Sequence, residues 1–224
     1  MKKLYLSHSL NSQTPSYGNH GQFTILQKSS ISEGGTCNET GLEFNTHIGT
    51  HIDAPYHFDN SGDTLDLLPP EHWFSLFPHL INLSPSPKGT IEFKDLESQL
   101  ISIPINTDFL IIKTGFGSYR NDSSIYCFQY PVLDPDIPIW LRKNRNLKFI
   151  GLDLISFGSK SNREKGRATH SNFLKTREDL GPPILLVEDM KLDELSESPK
   201  EVFIFPLRFE KSDGAPCTII ANMN

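Results

Sequence analysis

The sequence has few cysteines: Cys37, Cys127 and Cys217 are odd in number, far apart and form no Cys-x-x-Cys pair. That excludes a disulfide framework and a ribbon-type zinc site, and it suits reduced thiols in a cytoplasmic protein. Long apolar runs are missing too. No segment approaches the roughly 20 residues that span a bilayer, and the run 4–6 behind Lys2 and Lys3 is too short for a signal-peptide core. There is no basic cluster, and the formal charge is -6. Both count against nucleic acid and anionic membranes as partners and leave a small-molecule substrate. No repeat, linker or low-complexity tract divides the chain, so its 224 residues read as one domain over 1–224, long enough to bury a continuous core without staples.

What is present is a concentration of histidine. Residues 45–58 read Asn-Thr-His-Ile-Gly-Thr-His-Ile-Asp-Ala-Pro-Tyr-His-Phe and hold three of the eight histidines beside one carboxylate. His47, His51, Asp53 and His57 share one parity, so an extended chain puts them on one face, with Ile48, Ile52 and Tyr56 on the other. A straight strand would hold His47 and His51 about 13 Å apart, whereas donors to a zinc ion lie about 2 Å from it. The chain must therefore bend between them, and Gly49 stands where a bend costs least. Pro55 is expected to bar a helical continuation and to set the approach of His57. Imidazole and carboxylate without thiolate suit a divalent metal, Zn²⁺ foremost and Mn²⁺ next, with a coordination position left open. His8, His20, His72 and His79 have no second ligand at useful spacing and read as structural.

Elsewhere strands and helices alternate. Residues 3–9 and 22–27 read as strands with a polar loop between them. Residues 93–101 have helical spacing at Phe93, Leu96 and Leu100, and 135–145 reads as a helix with Pro138 near its first turn. The runs 109–112 and 149–152 are of buried-strand type. Residues 156–167 are polar and read as an exposed loop. His170 follows near an expected helix start, and the strand 184–187 ends at Glu188; spacing alone leaves this pair structural. Two β segments, 202–209 and 217–220, flank a turn at Asp213-Gly214. The sum is an α/β domain with a mixed β-sheet core.

The run His47-Ile-Gly49-Thr50-His51-Ile-Asp53-Ala-Pro55-Tyr-His57 resembles the signature of the cyclase-like metal-dependent hydrolases, a family that includes bacterial kynurenine formamidases and isatin hydrolases. Every specified position is filled. The context of His170 and Glu188 is similar to the family's second ligand pair, and Asp213-Gly214-Ala215-Pro216 looks like its closing motif. This chain departs from the pattern in a longer connection over 175–183, and in Ser171 and Thr218 where many members carry basic residues. The resemblance implies a swivelling β/β/α-type domain and an ion held by His47, His51 and Asp53. It also implies that Asp53 bridges to a second ion on His170 and Glu188; the residues read alone support one ion. Spacing leaves His57 open as ligand or proton carrier, and the resemblance makes it the proton carrier.

The implied reaction is hydrolysis of a small aromatic formamide such as N-formylkynurenine, with isatin-like lactams or other cyclic amides as the rival. A member that binds metal without turnover is the reading from another class. Tyr56, Phe58, Trp73 and Phe74 are candidates to stack on an aryl substrate. The resemblance also implies a homodimer or homotetramer.

Overall fold

The computed structural model describes residues 2–223. In chain order its strands are β1 (Lys3–Tyr5), β2 (Thr24–Ser29), β3 (Glu39–Glu43), β4 (His51–Asp53), β5 (Phe74–Ser75), β6 (Pro78–Asn82), β7 (Thr90–Ile91), β8 (Phe109–Lys113), β9 (Val132–Leu133), β10 (Phe149–Leu152), β11 (Leu185–Glu188), β12 (Glu201–Pro206) and β13 (Gly214–Asn222). Its α-helices are α1 (Phe93–Ser102), α2 (Ser123–Tyr126), α3 (Asp136–Asn144) and α4 (Arg163–Leu174). One nine-stranded sheet runs β5-β12-β13-β4-β11-β10-β8-β6, with β1 also on β13. Strands β6, β8, β10 and β11 are parallel, and β4, β13, β12 and β5 continue antiparallel. This is the mixed sheet of an α/β fold, as expected. Two small sheets, β2-β3 and β7-β9, stand apart from it. Among the described residues, no helix is long and apolar enough to cross a membrane.

The central strands are apolar at successive positions because both of their faces are covered. Leu110, Ile112, Ile150, Leu152 and Leu186 face the helices and pack with Leu96, Leu100, Ile137, Leu141 and Phe173. The alternate residues Phe109, Ile111, Phe149, Leu185 and Val187 join Leu4, Val202, Ile204 and Ile219 from the antiparallel part. Two core layers thus clamp the carboxyl ends of β10 and β11, and the chemistry-bearing residues gather there.

Three local expectations are corrected. Pro55 does not bar a helical turn: it opens a 3-10 turn, Pro55–His57, because a first helical position needs no N–H from proline. The 156–167 segment is an exposed loop only around residues 161–162. Residues 156–159 are buried, and α4 already begins at Arg163. His170 is consequently two turns into α4 rather than near its start.

Candidate metal centre

Strand β4 lies between β11 and β13, in a register that sets His51 opposite Glu188 and Asp53 opposite Leu186 and Gly214. His51 and Asp53 are two apart, so both project to the face that Glu188 shares. The bend expected between His47 and His51 is present at Gly49, whose φ is +61°. It returns the His47 ring to Asp53, with Nδ1 2.8 Å from Oδ1. His170 arrives from α4.

His51 and His170 are prepared in the same way. Nδ1 of His51 donates to the Gly49 carbonyl at 2.8 Å, and Nδ1 of His170 donates to the Gly166 carbonyl at 3.2 Å. Each Nε2 is therefore the nitrogen left to face the carboxylates. From His51 Nε2 to Asp53 Oδ1 is 3.5 Å and to Glu188 Oε2 3.4 Å. From His170 Nε2 to Glu188 Oε1 is 3.2 Å and to Asp53 Oδ2 3.7 Å. Each carboxylate thus sends one oxygen toward each imidazole. Donors 2.0–2.2 Å from a tetrahedral ion stand about 3.4 Å apart, so these gaps have the size a divalent cation fills. None of the four residues is more than 6% exposed, and lone pairs facing one another at such depth require a proton or a cation between them. The donor set fits a divalent metal.

A second group sits nearer solvent. His47 Nε2 lies 2.8 Å from Asp213 Oδ2, and His57 Nδ1 lies 3.3 Å from the same oxygen. The His47 and His57 rings are 4.0 Å apart, and His47, Asp53 and His57 offer ligand atoms within 4.8 Å of one another. Burial opposes charge on His47, but Asp53 and Asp213 outweigh it and push the imidazole up to about 10. Hydrogen bonds from His47 and then His57 hold Asp213 far below the usual carboxylate range. Asp53 is also held low: burial works against its charge, and His47 prevails.

Residues 4–159 match the model of the family described as "Putative cyclase". Cyclase-like protein 3 of Arabidopsis thaliana is 30% identical over 98% of this chain and 79% of that protein. The chain belongs to the cyclase family. A kynurenine formamidase of Geobacillus thermodenitrificans is 27% identical over 94% of this chain and 92% of its own. In fold, the chain is similar to isatin hydrolase A from Ralstonia solanacearum, with a TM-score of 0.80 at 18% identity, over 100% of this chain and 92% of that one.

In this cyclase-family chain the centre forms the floor of a cavity of about 490 Å³. All six residues singled out from the sequence, His47, His51, Asp53, His57, His170 and Glu188, line it. Asp213 belongs to the turn and to the closing motif that the sequence resembles, but it is not among the site residues expected from the sequence, because nothing local shows that it meets His57 across 156 positions. Tyr17 was hidden in a polar loop, and it too lines the cavity. Of the aromatic candidates only Phe58 does so, stacked 5.0 Å from His170. Trp73 and Phe74 line a groove beside Ile204 and Phe205 instead. The sequence shows no basic run, yet the fold brings Lys160, Arg163 and Arg167 to the same cavity.

Proposed function

We propose that this protein is a metal-dependent amide hydrolase whose substrate is a small aromatic formamide, N-formylkynurenine being the leading candidate. The observation that carries the reading is the pair of buried histidines, each with Nδ1 on a backbone carbonyl and Nε2 toward the split oxygens of Asp53 and Glu188. His51, His170, Asp53 and Glu188 would hold one or two divalent ions with help from His47; Zn²⁺ is the first choice and Mn²⁺ the second. When bound, such ions acidify water and polarise a carbonyl. The kynurenine formamidase relatives support the choice of a formamide.

The remaining steps belong to the chain itself. Asp213 accepts from His57 Nδ1, which keeps the proton on that nitrogen and leaves Nε2 as the base. His57 takes the proton of the attacking water and returns it to the departing amine. Phe58 and Tyr17 provide aromatic walls for an aryl group. The deciding experiment is hydrolysis of N-formylkynurenine by protein loaded with Zn²⁺ or Mn²⁺, against a chelated control. The expected kcat/KM is above about 10⁴ M⁻¹s⁻¹, lost on chelation. A folded, metal-loaded sample without turnover would sink the formamide assignment, and turnover on isatin in the same assay would move it to lactams.

A further inference from the structure

We propose, on the basis of that amide-hydrolase reading, that the substrate carries a carboxylate held by Arg163, Arg167 and Lys160 on the cavity wall while its scissile amide lies over the floor. Among the described residues, none of these three cations has a carboxylate within ion-pair distance. Other cations do: Lys165 on the same helix pairs with Glu92 and Asp134, Arg120 with Asp189, and Arg177 with Asp179. In a chain with 27 acidic and 21 basic residues, three neighbouring cations without an acid repel one another, and a bound anion relieves that repulsion. Asp53 and Glu188, the cavity's lining carboxylates, are engaged by histidine on the floor and would turn a substrate's carboxylate toward the wall.

The helix sets the spacing. Arg163, Arg167 and His170 stand at i, i+4 and i+7, one stripe of α4. At 1.5 Å per residue, Arg167 and Arg163 lie about 4.5 and 10.5 Å along the axis from His170, which suits a carboxylate borne by the same aryl ring as the amide. The Lys160 ammonium lies over the Tyr17 ring, 4.8 Å from its centroid, which fixes that cation on the wall that Arg163 and Arg167 also line.

The anion is taken as a carboxylate because the paired forks of Arg163 and Arg167 suit its two coplanar oxygens, with part of the backbone nearby already engaged. Gly158 N–H donates to Ser156 Oγ, Asn162 N–H to Ser159 Oγ, and Lys165 N–H to Asn162 Oδ1. Those three amides are engaged within the chain, and the proposed contacts come from the side chains, whose guanidinium forks match a planar carboxylate.

The test compares 2-formamidobenzoate with its methyl ester on metal-loaded enzyme. It also follows the binding of 2-aminobenzoate to metal-free protein by the fluorescence of that ligand. The acid is expected to exceed the ester in kcat/KM by about tenfold or more, through KM and diminishing with salt. In the Arg163→Gln/Arg167→Gln double variant the acid-to-ester ratio should fall toward one, and 2-aminobenzoate binding should weaken by at least about tenfold. An unchanged ratio and unchanged binding would overturn the proposal while leaving the hydrolase reading intact. If neither amide is hydrolysed, the binding measurement alone decides: affinity lost in the double variant supports the carboxylate site, and affinity retained or absent in both proteins refutes it.

Discussion

The role proposed for His57 rests on one oxygen. Asp213 Oδ2 accepts from both His47 and His57, so the imidazole that faces the cavity is oriented by a group outside the metal ligands. His57→Ala is expected to leave the metal content unchanged and to lower kcat by about 10²–10⁴-fold; elemental analysis beside steady-state kinetics checks both halves, and retained turnover would remove His57 from the mechanism. His72 makes a different prediction. Half-buried against Trp73 and Phe149, with no partner for Nε2, it is pushed down to about 4, by burial first and by Lys148 second. In the unfolded chain it takes up a proton near 6.5. The unfolded state therefore binds more protons between these values, and His72's share of stability, complete above about pH 6.5, is lost as pH falls toward 4. Urea melts from pH 7 to 4 should show a shallower decline for His72→Phe than for the native protein; equal slopes would count against this account.

At the scale of elements, α4 matters most. Gly166 lets it approach the 158–159 backbone: a Cβ there would stand 2.4 Å from Ser159 N and 2.9 Å from Gly158 C. In an exposed helix, Gly→Ala stabilises by about 1 kcal/mol. Here the clash reverses the sign, and Gly166→Ala should cost about 1–3 kcal/mol in urea unfolding and weaken metal binding as His170 is carried outward. A stabilised variant would show that α4 has room to move. The far end of the helix is held by Arg142, only 3% exposed, which donates to the carbonyls of Asn172, Lys175, Gly181 and Pro182. That anchoring is why the long 175–183 connection does not draw His170 away from Glu188.

For the whole molecule, the centre joins β4, β11 and α4, three elements from distant parts of the chain. An ion bound there stabilises the folded form by mass action, about 2.7 kcal/mol at a hundredfold excess over Kd, or roughly 5–10 °C in Tm for a chain of this size. Chelation should lower Tm by that amount in the native protein, and His51→Ala should bind less metal and respond far less. Equal responses in calorimetry would mean that the stabilising ion sits elsewhere.

The segment from His47 to His57 was legible in advance because its information is local: side-chain parity along an extended chain, a glycine where a bend is needed, and an unbroken motif. The buried strands 109–112 and 149–152 and the helix around Leu96 and Leu100 were legible for the same reason, since periodicity states which face is covered. Periodicity does not state what covers it. Register between β4 and β11 decided that His51 meets Glu188, the close seat of α4 decided that His170 joins them, and the turn before β13 decided that Asp213 orients His57. Lys160, Arg163 and Arg167 became a basic wall only when residues read as a loop wound into a helix. Ligation and proton transfer act over 2–4 Å between groups up to 166 positions apart, and distances of that kind exist only after the sheet has fixed its partners.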